Sequence, residues 1–500
     1  MNDDSIDVLV IGAGNAALCA ALSASESGAT VEILECAPEI ERGGNTAFTA
    51  GAMRVAYNGV DDLRQLMTDL TQADVDMTDF GTYTKSAFYD DMGRVTQYRA
   101  NPDLVEMLVE GSFETLLWMT TLGVRFAPIF GRQAFKIDGK FKFWGGLTVE
   151  TVGGGVGLLE ALFAAATKKD IAIHYETRAV GLLRDENGAV SGARVRNHGK
   201  ESNMNAKSVV LASGGFEANT EWRVRYLGEG WDLAKVRGSR FNTGEGIRIA
   251  LEIGASPAGN WSGCHAVGWE LNAPEFGDLA IGDGFQKHSY PVGIMINANG
   301  ERFLDEGADF RNYTYAKYGR VILSQPGQFA WQIFDRKVSH LLRDEYRIRQ
   351  VTSVTANTLE ELADKLDGVD SSKLLTTLKA YNESIDSEVP FNPNIKDGRR
   401  TIGVSPPKSN WANAIDEPPF QAFAVTCGVT FTFGGLRIAP TSAQVLNMDY
   451  EPIQGLFACG ELVGGLFFFN YPGGTGLTAG SVLGRAAGKH AAKSALGIPA

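Results

Sequence analysis

Alternating apolar and polar stretches give the first forty residues the clearest pattern in the chain. The largely apolar run Ile6–Ile11 predicts a strand, residues 18–27 predict a helix, and residues 30–35 predict a second strand. Between the first strand and the helix stands the turn Gly12-Ala13-Gly14-Asn15-Ala16-Ala17. The order of strand, glycine turn, helix and strand is that of a β-α-β unit with parallel strands.

The glycine turn of this unit has the features of a dinucleotide-binding site. Gly12 permits a tight turn, Gly14 lets the backbone approach a pyrophosphate, and Ala17 keeps the helix close to the strand. The helix N-terminus adds N–H groups and the positive end of the helix dipole. Glu35 ends the second strand 23 residues after Gly12, where a carboxylate can bind ribose hydroxyls. This context favours dinucleotide binding over the alternative, a turn with a structural role only.

Later segments continue the pattern of strands that end in small residues. Residues 172–175 and 209–216 have strand character, and the second run ends in Gly214 and Gly215, which let the chain pass close to a cofactor, although a plain strand terminus would look similar. Near the C-terminus a strand at 453–459 is followed by a glycine-rich segment that opens a helix. The glycine motifs thin out between residues 264 and 431, which indicates an inserted second domain.

Composition and charge narrow the classes of function. The chain has 46 Lys and Arg against 59 Asp and Glu, a net charge of −13, so we expect no nucleic acid partner, which needs a basic face. An anionic substrate would therefore need a local cluster of arginine or histidine. Apolar residues make up 44% of the 500 residues, typical of a globular chain, and the 59 glycines suggest ligand sites built from backbone.

The cysteines and the apolar runs bear on the compartment. Five cysteines without CxxC spacing suit a reducing environment, and the acidic N-terminus lacks the basic start of a secretion signal. No uninterrupted apolar run reaches 18 residues, so we expect no membrane span. No haem or iron–sulfur motif is visible, and no metal site is expected. These features predict a cytoplasmic protein.

Taken together, the motifs resemble the flavoprotein superfamily of fumarate reductases and succinate dehydrogenases, and within it most of all the FAD-dependent tricarballylate dehydrogenase type. The resemblance runs over almost the whole chain. It rests on the N-terminal GAGNAALCAAL, the turn at 43–46, the strand end at 211–216, the stretch DEGADFRNYTYAKYGR and the terminal NYPGGTGLTAG. These motifs are specific for the superfamily and its cofactor, and far less specific for the substrate.

The resemblance implies an α/β fold in which a discontinuous, Rossmann-like FAD-binding domain carries an inserted α+β capping domain. We expect the FAD-binding domain at residues 1–262 and 432–500 and the capping domain at 263–431, with the substrate between them. The residues that the resemblance assigns to FAD are Gly12, Gly14, Asn15, Ala16, Glu35, Gly43, Gly44, Asn45, Thr46, Gly51, Ala179, Ala212, Ser213, Gly214, Gly460, Glu461, Gly476, Leu477 and Thr478.

The resemblance also implies that FAD is held noncovalently. Members of the superfamily that attach FAD covalently use a histidine in the segment after the Gly-Gly-Asn turn. Here that segment is Thr46-Ala47-Phe48-Thr49-Ala50-Gly51, which contains no histidine. The residues of the turn would lie near the reactive face of the flavin, with Glu461 near the ribityl chain.

On the substrate side the resemblance to fumarate reductases is incomplete. His265, 21 positions after Gly244, matches the first of two family histidines, and Arg311 matches the proton-donating arginine if one residue is inserted. The second histidine is replaced by Thr430-Phe431-Thr432-Phe433, and the second arginine is replaced by Tyr471. The sequence Tyr471-Pro472-Gly473 is similar to that of 3-ketosteroid Δ1-dehydrogenases, in which the tyrosine hydroxyl and a backbone N–H polarise a ketone.

Each candidate on the substrate side also has a structural alternative. Arg311 is a poor base in water because its pKa exceeds about 12, so it needs enclosure and a nearby carboxylate, and it could equally form a plain ion pair. The acids close to it in sequence are Asp305, Glu306 and Asp309. His265 could be an ordinary buried histidine, and Tyr471 could be an aromatic plug over the flavin.

The sequence leaves the roles of three further residues open. Tyr313 and Tyr315, two residues apart on a predicted strand, would face one side and either assist catalysis or pack in the capping domain. Arg54 either binds a carboxylate or lies on the surface. The run 467–469 consists of three phenylalanines, for which we expect a place in the core.

We therefore predict an FAD-dependent enzyme that dehydrogenates a carbon–carbon bond beside a carboxylate or carbonyl, or reduces it in reverse, by hydride transfer to flavin N5. A tricarballylate-like substrate is favoured, and fumarate is expected to be poor because one carboxylate would face Phe431 and Tyr471 without a cation. The alternatives are a ketone desaturase, an enoate reductase of the fumarate reductase kind, and a flavin-bearing accessory protein. The electron acceptor would be a quinone, a partner protein or oxygen.

Overall fold

The strand Ile6–Ile11 lies at the centre of the main sheet, in a computed structural model that describes residues 6–499. It pairs in parallel with Val31–Leu34 on one side and with Lys200–Leu211 on the other. Its side chains are buried because helices cover both faces of a parallel sheet. In spatial order the strands of this sheet are Thr177–Arg184, Val190–Asn197, Lys200–Leu211, Ile6–Ile11, Val31–Leu34 and Ala172–His174, with Pro452–Ala458 beside Lys200–Leu211 and Gln444–Leu446 beyond it.

Two helices that are distant in sequence pack closely against each other over this sheet. They are Asn15–Glu26 and Thr475–Ala495. Glycine is required at Gly484 and Gly488, because a Cβ at these positions would overlap the carbonyl oxygens of Ala16 and Ala20. The close packing brings the N-termini of both helices to the same place at the edge of the sheet.

A second sheet is built around the long antiparallel pair Pro257–Glu270 and Phe420–Leu436. The other strands of this sheet are Lys235–Val236, Ile294–Ile296, Ala330–Phe334 and Ser353–Ala356. The predicted domain boundaries, 262/263 and 431/432, fall side by side within the long pair, next to an irregularity between Asn260 and Cys264. The boundaries themselves stay a prediction, and an insertion that leaves and re-enters at neighbouring positions is compatible with this pairing.

The remaining elements surround the two sheets. Two small sheets contain the strands Ala52–Met53, Phe126–Pro128, Val149–Thr151, Thr78–Asp79, Ala134–Ile137 and Lys140–Phe143. The other α-helices are Val60–Leu66, Gln72–Asp76, Lys85–Val95, Pro102–Thr121, Phe130–Gln133, Gly154–Lys168, Thr220–Trp222, Glu245–Glu252, Tyr315–Leu323, Leu359–Lys365 and Ser371–Glu383. Short 3-10 helices relevant to the site are Gly44–Phe48, Arg311–Tyr313 and Gly460–Leu462.

The mixed α/β fold class is confirmed, but two local predictions were wrong. Tyr313 and Tyr315 do not share a strand, because Tyr313 ends a 3-10 helix and Tyr315 begins an α-helix. Of the three phenylalanines at 467–469, Phe467 is buried, whereas Phe469 is exposed in a left-handed backbone conformation with φ 62°. The acidic start of the chain, residues 1–5, lies outside the described residues.

The described part of the chain contains neither a helix suited to span a membrane nor a cluster of side chains suited to hold a metal ion. No helix within residues 6–499 is both long and apolar enough to cross a membrane. The same residues contain no group of three or more His, Cys, Asp or Glu side chains placed to hold a metal ion. All five cysteines are free, and only Cys36 is not fully buried.

Candidate active site

A large cavity extends from the glycine turn of the main sheet to the loops of the inserted region. One end is lined by Gly12, Gly14 and Glu35, and the other by His265, Arg311 and Tyr471, among others. The fold therefore brings predicted cofactor residues and predicted substrate residues to one continuous space, although they are up to about 460 positions apart in the sequence.

At the inner end the backbone leaves room for a ligand next to two helix N-termini. Gly12 has φ 113°, and a Cβ there would overlap the carbonyl oxygen of Ala212 on the neighbouring strand end. Asn15 ties the two helices together, because its side-chain amide donates to the Ser481 hydroxyl at 3.0 Å and to the Leu477 carbonyl at 2.9 Å. N–H groups of both helix N-termini thus lie beside one cavity, the arrangement that binds a pyrophosphate.

Glu35 lies at this end of the cavity, and it is buried as expected of a residue that binds ribose hydroxyls. Its Oε1 accepts a hydrogen bond from the Ala37 N–H at 2.8 Å, and the residue is 6% exposed. Burial raises the pKa of Glu35, and backbone hydrogen bonds from Ala37, Cys36 and Ala13 oppose that rise. A carboxylate with unused acceptor capacity beside the glycine turn fits the hydroxyl donors of a ribose.

Most residues that the family resemblance assigned to FAD line the cavity. They are Gly12, Gly14, Asn15, Ala16, Glu35, Gly44, Asn45, Thr46, Ala179, Ala212, Ser213, Gly214, Gly460, Glu461, Gly476 and Leu477. Three others do not line it. Gly43 backs onto Leu159, Gly51 backs onto Thr151, and the Thr478 hydroxyl donates to the Gly474 carbonyl within its own helix. These three residues lie behind the cavity wall and hold the segments that form it.

A buried acidic pair lies beside the predicted flavin turn. Glu217 is fully buried, and its Oε1 accepts from the side-chain amides of Asn45 at 2.6 Å and Asn242 at 2.7 Å. Glu461 accepts from the Thr432 N–H at 2.8 Å, and its carboxyl group lies close enough to that of Glu217 for the two charges to interact. Burial, then the neighbouring carboxylate, raises the pKa of Glu461, and burial raises that of Glu217, so the pair retains a proton. Sequence reasoning found Glu461 and missed Glu217.

The outer end of the cavity carries a cluster of cations around one aspartate. Arg237 binds Asp283 Oδ1 at 2.6 Å and 3.0 Å, and Arg132 binds Asp283 Oδ2 at 2.8 Å. Arg237 also donates to the Thr430 hydroxyl at 3.3 Å. Gln286 donates to the same aspartate. Sequence reasoning did not identify these residues, because they lie in separate loops that share no motif.

Arg311 lies beside this cluster and is 6% exposed. Its Nη2 donates to the Arg132 carbonyl at 2.7 Å, and no carboxylate within residues 6–499 comes within ion-pair distance of it. Burial lowers the pKa of Arg311, and the charge of Glu345 opposes that shift. The acids once considered as its partners are engaged elsewhere: Glu306 with Arg302, Asp309 with Arg94 and Asp305 with Ser409.

Two histidines face the cavity with unused ring nitrogens. Neither ring nitrogen of His265 has a hydrogen-bond partner in the described chain, and the same is true of His288 Nε2. His265 packs against Tyr315, Phe431 and Tyr471, with ring centroids 4.9, 5.1 and 4.7 Å away. Burial, then nearby arginines, lowers the pKa of both histidines well below the ordinary value, so both are neutral near pH 7. His288 was missed by sequence reasoning.

A pair of tyrosines completes the outer end. Tyr315 and Tyr471 both line the cavity, and Tyr471 Oη also accepts from the Gly474 N–H at 3.2 Å. Burial raises the pKa of Tyr471 and, more strongly, that of Tyr315. Both hydroxyls are therefore protonated at neutral pH. Because the two hydroxyls are hydrogen-bonded to each other, one O–H of the pair remains as a donor for a ligand.

Two other candidates lie behind the cavity wall. The Tyr313 hydroxyl oxygen lies 2.5 Å from Asp91 Oδ2 and 2.7 Å from the Gly145 carbonyl oxygen, and its single proton can be donated to either acceptor. Arg54 is fully buried, so the surface alternative is wrong, and its side chain does not line the cavity. It donates to the Gly473 carbonyl at 2.9 Å and lies 3.4 Å from Asp91, an arrangement that holds the loop carrying Tyr471.

The chain is similar to several known proteins. The FAD binding domain family matches residues 7–477. An NADH:fumarate oxidoreductase of Klebsiella pneumoniae is 30% identical over 99% of this chain and 48% of its own length. A fumarate reductase (cytochrome) of Shewanella frigidimarina is 29% identical over 98% of this chain and 77% of its own length. The chain thus spans about half of the first relative and three quarters of the second.

A solved structure shares the fold at lower identity. The 3-ketosteroid Δ1-dehydrogenase of Sterolibacterium denitrificans, solved with 1,4-androstadiene-3,17-dione, superposes with a TM-score of 0.74 over 98% of this chain and the whole of that chain. The two sequences are 22% identical, so the match concerns the fold. The matches confirm the predicted FAD cofactor and the resemblance to the fumarate reductase family. The likeness to 3-ketosteroid dehydrogenases is shown for the fold alone, and the tricarballylate specificity stays a prediction.

Proposed function

The chain belongs to the FAD binding domain family, and from this premise we propose that it is an FAD-dependent oxidoreductase that acts on a carbon–carbon bond of a polycarboxylate. The substrate class that we rank first is a tricarballylate-like acid. The observation that carries this ranking is the arginine cluster at the outer end of the cavity. Bound FAD would accept or give the hydride at N5, held by the glycine turn, Glu35 and the second helix N-terminus.

The arginine cluster suits an anionic substrate in a protein that is acidic overall. Arg132, Arg237 and Arg311 line the outer end, where Asp283 is the acid bound to the first two. The local charge is therefore positive, against a net charge of −13 for the chain. The charge of Glu345 acts on Arg132 and Arg311 from behind the lining, so the three arginines still outnumber the acids that face them. Such a site favours an anionic ligand, and carboxylates match the planar, two-pronged geometry of guanidinium groups.

Arg237 changes the expectation about fumarate. From the sequence, a carboxylate near Phe431 and Tyr471 had no cation to face. In the structure Arg237 bonds to Thr430, the residue before Phe431, and its charge acts on Tyr471 and His265. The physical reason for excluding fumarate and succinate is thereby removed, so dicarboxylates belong in the substrate class beside tricarboxylates.

Arg311 is the group that we assign to proton transfer. Its guanidinium is enclosed, has a lowered pKa and is free of a carboxylate clamp, so losing a proton costs less than it would in water. In the reducing direction Arg311 would give a proton to one carbon of the double bond, and in dehydrogenation it would take that proton back. FAD, when bound, would supply or accept the hydride at the neighbouring carbon. The neutral histidines and the tyrosine pair orient the carboxylates by hydrogen bonds.

A cyclic ketone is the second candidate substrate, favoured by the Tyr315–Tyr471 pair. One hydroxyl of the pair can donate to the other and leave a single O–H directed at a ligand, with the Gly474 N–H holding Tyr471 in place. Such a donor would stabilise the enolate that forms when a carbon beside a ketone loses a proton. A ketone would bring no carboxylate to the arginine cluster, so we rank the cyclic ketone second.

Anaerobic mixing of the FAD-loaded enzyme with candidate substrates tests the proposal. We expect tricarballylate, succinate or both to bleach the flavin absorbance. We expect Arg237→Gln to raise the KM for carboxylates by about tenfold or more, the cost of losing a charged hydrogen bond. Arg240→Gln is the matched control, because Arg240 lies three residues on and pairs with Glu41 at the surface. Bleaching by cyclic ketones alone, or by none of these compounds, contradicts the polycarboxylate proposal.

A further inference from the structure

A second, smaller cavity adjoins the active site and has a different character. This cavity, the annex, is walled by the stacked rings of Phe135, Trp144 and Phe310, and by Trp411 beyond them. Ring centroids of Trp144 and Phe310 are 5.4 Å apart, and those of Phe310 and Trp411 are 5.7 Å apart. No aspartate or glutamate of the described chain lines the annex. Aromatic walls exclude water, and the lining adds no carboxylate charge that would oppose an anion.

Arg311 and His288 form the boundary between the annex and the main cavity, since both residues line both spaces. The guanidinium carbon of Arg311 lies 5.7 Å from the Trp144 ring centroid. Arg343 is the second cation of the annex, and it lies over Phe135 with its guanidinium carbon 4.2 Å from the ring centroid. A ligand group in the annex would therefore meet two guanidinium groups.

Three polar atoms of the annex residues are buried and have no hydrogen-bond partner within residues 6–499. They are Trp144 Nε1, Arg343 Nη2 and His288 Nε2. Trp144 is 7% exposed and His288 is 4% exposed. By contrast, the Trp411 indole donates to the carbonyls of Asn392 and Ile395. A buried donor without an acceptor costs about 1–3 kcal/mol, so the unpartnered N–H groups of Trp144 and Arg343 favour a ligand that brings acceptor oxygens.

From these observations we infer that the annex is a carboxylate subsite, which receives the distal carboxylate of a tricarboxylate whose other carboxylates lie at the arginine cluster. This inference rests on the proposed polycarboxylate activity and adds the group that separates tricarboxylates from dicarboxylates. The Trp144 N–H and the Arg343 guanidinium would donate to the distal carboxylate, while Arg311 stays between the two spaces. A dicarboxylate would leave the annex empty.

The tests compare tricarballylate and succinate in variants of the annex. Trp144→Phe keeps an aromatic wall and removes the N–H, and Arg343→Gln removes the charge. We expect each to raise the KM for tricarballylate by about tenfold or more and to change that for succinate by less than about twofold. Trp261→Phe is the matched control, because Trp261 Nε1 is also buried and unpartnered but lies outside both cavities.

Measured FAD content and thermal stability identify variants that fold poorly. Equal effects on both substrates, or no effect on either, would overturn the subsite. If wild-type flavin is bleached by no carboxylate, the proposed function itself fails, which is a different result.

Inhibition by acetate distinguishes a subsite for the distal carboxylate of the substrate from an independent anion site. If the annex receives the distal carboxylate, acetate inhibits turnover of tricarballylate more strongly than turnover of succinate, and this difference is lost in Trp144→Phe. Acetate that binds together with tricarballylate, detected as quenching of tryptophan fluorescence that is lost in Trp144→Phe, would show a separate anion site and overturn the inference.

Discussion

The hydroxyl oxygens of Tyr315 and Tyr471 lie 2.6 Å apart and join the inserted region to the loop before the last helix. Tyr315 begins a helix of the inserted region, whereas Tyr471 precedes the helix Thr475–Ala495, which lines the cofactor end of the cavity. The hydrogen bond therefore closes the active site across the two parts of the chain. Any change in the relative position of these parts alters the donor that faces the substrate.

Tyr471→Phe tests this donor directly. The substitution keeps the ring that packs against His265 and Phe431 and removes one hydroxyl. If that hydroxyl, directly or through Tyr315, bonds to charge that develops in the transition state, kcat/KM falls by a factor equivalent to roughly 2–4 kcal/mol. Steady-state kinetics with the substrate that bleaches the flavin measures the change, and an unaltered kcat/KM would remove Tyr471 from the mechanism.

Tyr313→Phe is the control for Tyr471→Phe, because it also removes one tyrosine hydroxyl, but at a residue behind the cavity wall. The Tyr313 hydroxyl donates to Asp91, which also accepts from Tyr83 at 2.7 Å. We expect kcat/KM close to that of the wild type and a free energy of unfolding lower by about 1–3 kcal/mol, the value of a hydrogen bond to a charged group. A large loss of kcat with unchanged stability would restore Tyr313 as a catalytic candidate.

Arg311→Lys tests the proton-transfer assignment. Lysine keeps the positive charge but loses the planar group that donates to the Arg132 carbonyl and lies beside Trp144. We expect the variant to fold and to retain FAD, while the rate of flavin reduction falls about 100-fold or more, as for the loss of a positioned acid. Stopped-flow absorbance measures that rate. Wild-type rates in this variant would transfer the role to Tyr315.

Local pattern predicted those parts of the fold that depend on neighbours in sequence. The strand Ile6–Ile11, its glycine turn and its helix were predictable because apolar periodicity and Gly12 act within a few residues. Tyr313 and Tyr315 were incorrectly placed on one strand, since aromatic residues suit a strand, whereas here they lie in helical turns that contact distant parts of the chain. Tyr313, for example, reaches Asp91 more than two hundred positions away.

The candidate site was predictable only where a motif marked it. Glu35, His265, Arg311 and Tyr471 stand at fixed distances from glycine motifs, and all four line the cavity. Arg237, Asp283 and His288 have no such marker, and they meet only when separate loops fold together. A charged residue in a loop has the same sequence signature on the surface as in a cavity, so the arginine cluster could not be recognised beforehand.

Glu217→Gln is expected to change the pH dependence of stability. In the unfolded chain a glutamate has a pKa near 4.3, while burial raises the pKa of both Glu217 and Glu461 in the folded protein. Between these values the folded protein holds a proton that the unfolded chain has released, so the free energy of unfolding falls as pH rises, by at most about 1.4 kcal/mol per pH unit for one proton. The melting temperature of the holoenzyme, measured from about pH 5 to 9, should therefore fall less steeply with pH in the variant than in the wild type. Parallel curves would show that Glu217 retains no extra proton.

The cofactor is expected to be bound without a covalent link. The six residues that follow Asn45 contain no histidine, and the cavity histidines, His265 and His288, belong to the inserted region. Precipitation with acid should release all FAD and leave a colourless pellet. A yellow pellet after washing, or FMN in the supernatant, would contradict this prediction.

Glu35→Ala is expected to weaken FAD binding, because the buried carboxylate at the end of the strand Val31–Leu34 is placed to accept from ribose hydroxyls. The loss of hydrogen bonds to a charged acceptor corresponds to about 1–3 kcal/mol, or roughly a 5- to 150-fold rise in Kd measured by titration of the apoprotein with FAD. Glu32→Ala is the matched control: Glu32 lies on the same strand but bonds to His174 at 2.6 Å, away from the cavity. Since both substitutions remove one carboxylate from one strand, a general loss of stability would affect both, whereas a ribose contact affects Glu35 alone. Equal Kd values for the two variants would assign Glu35 a structural role at the strand end.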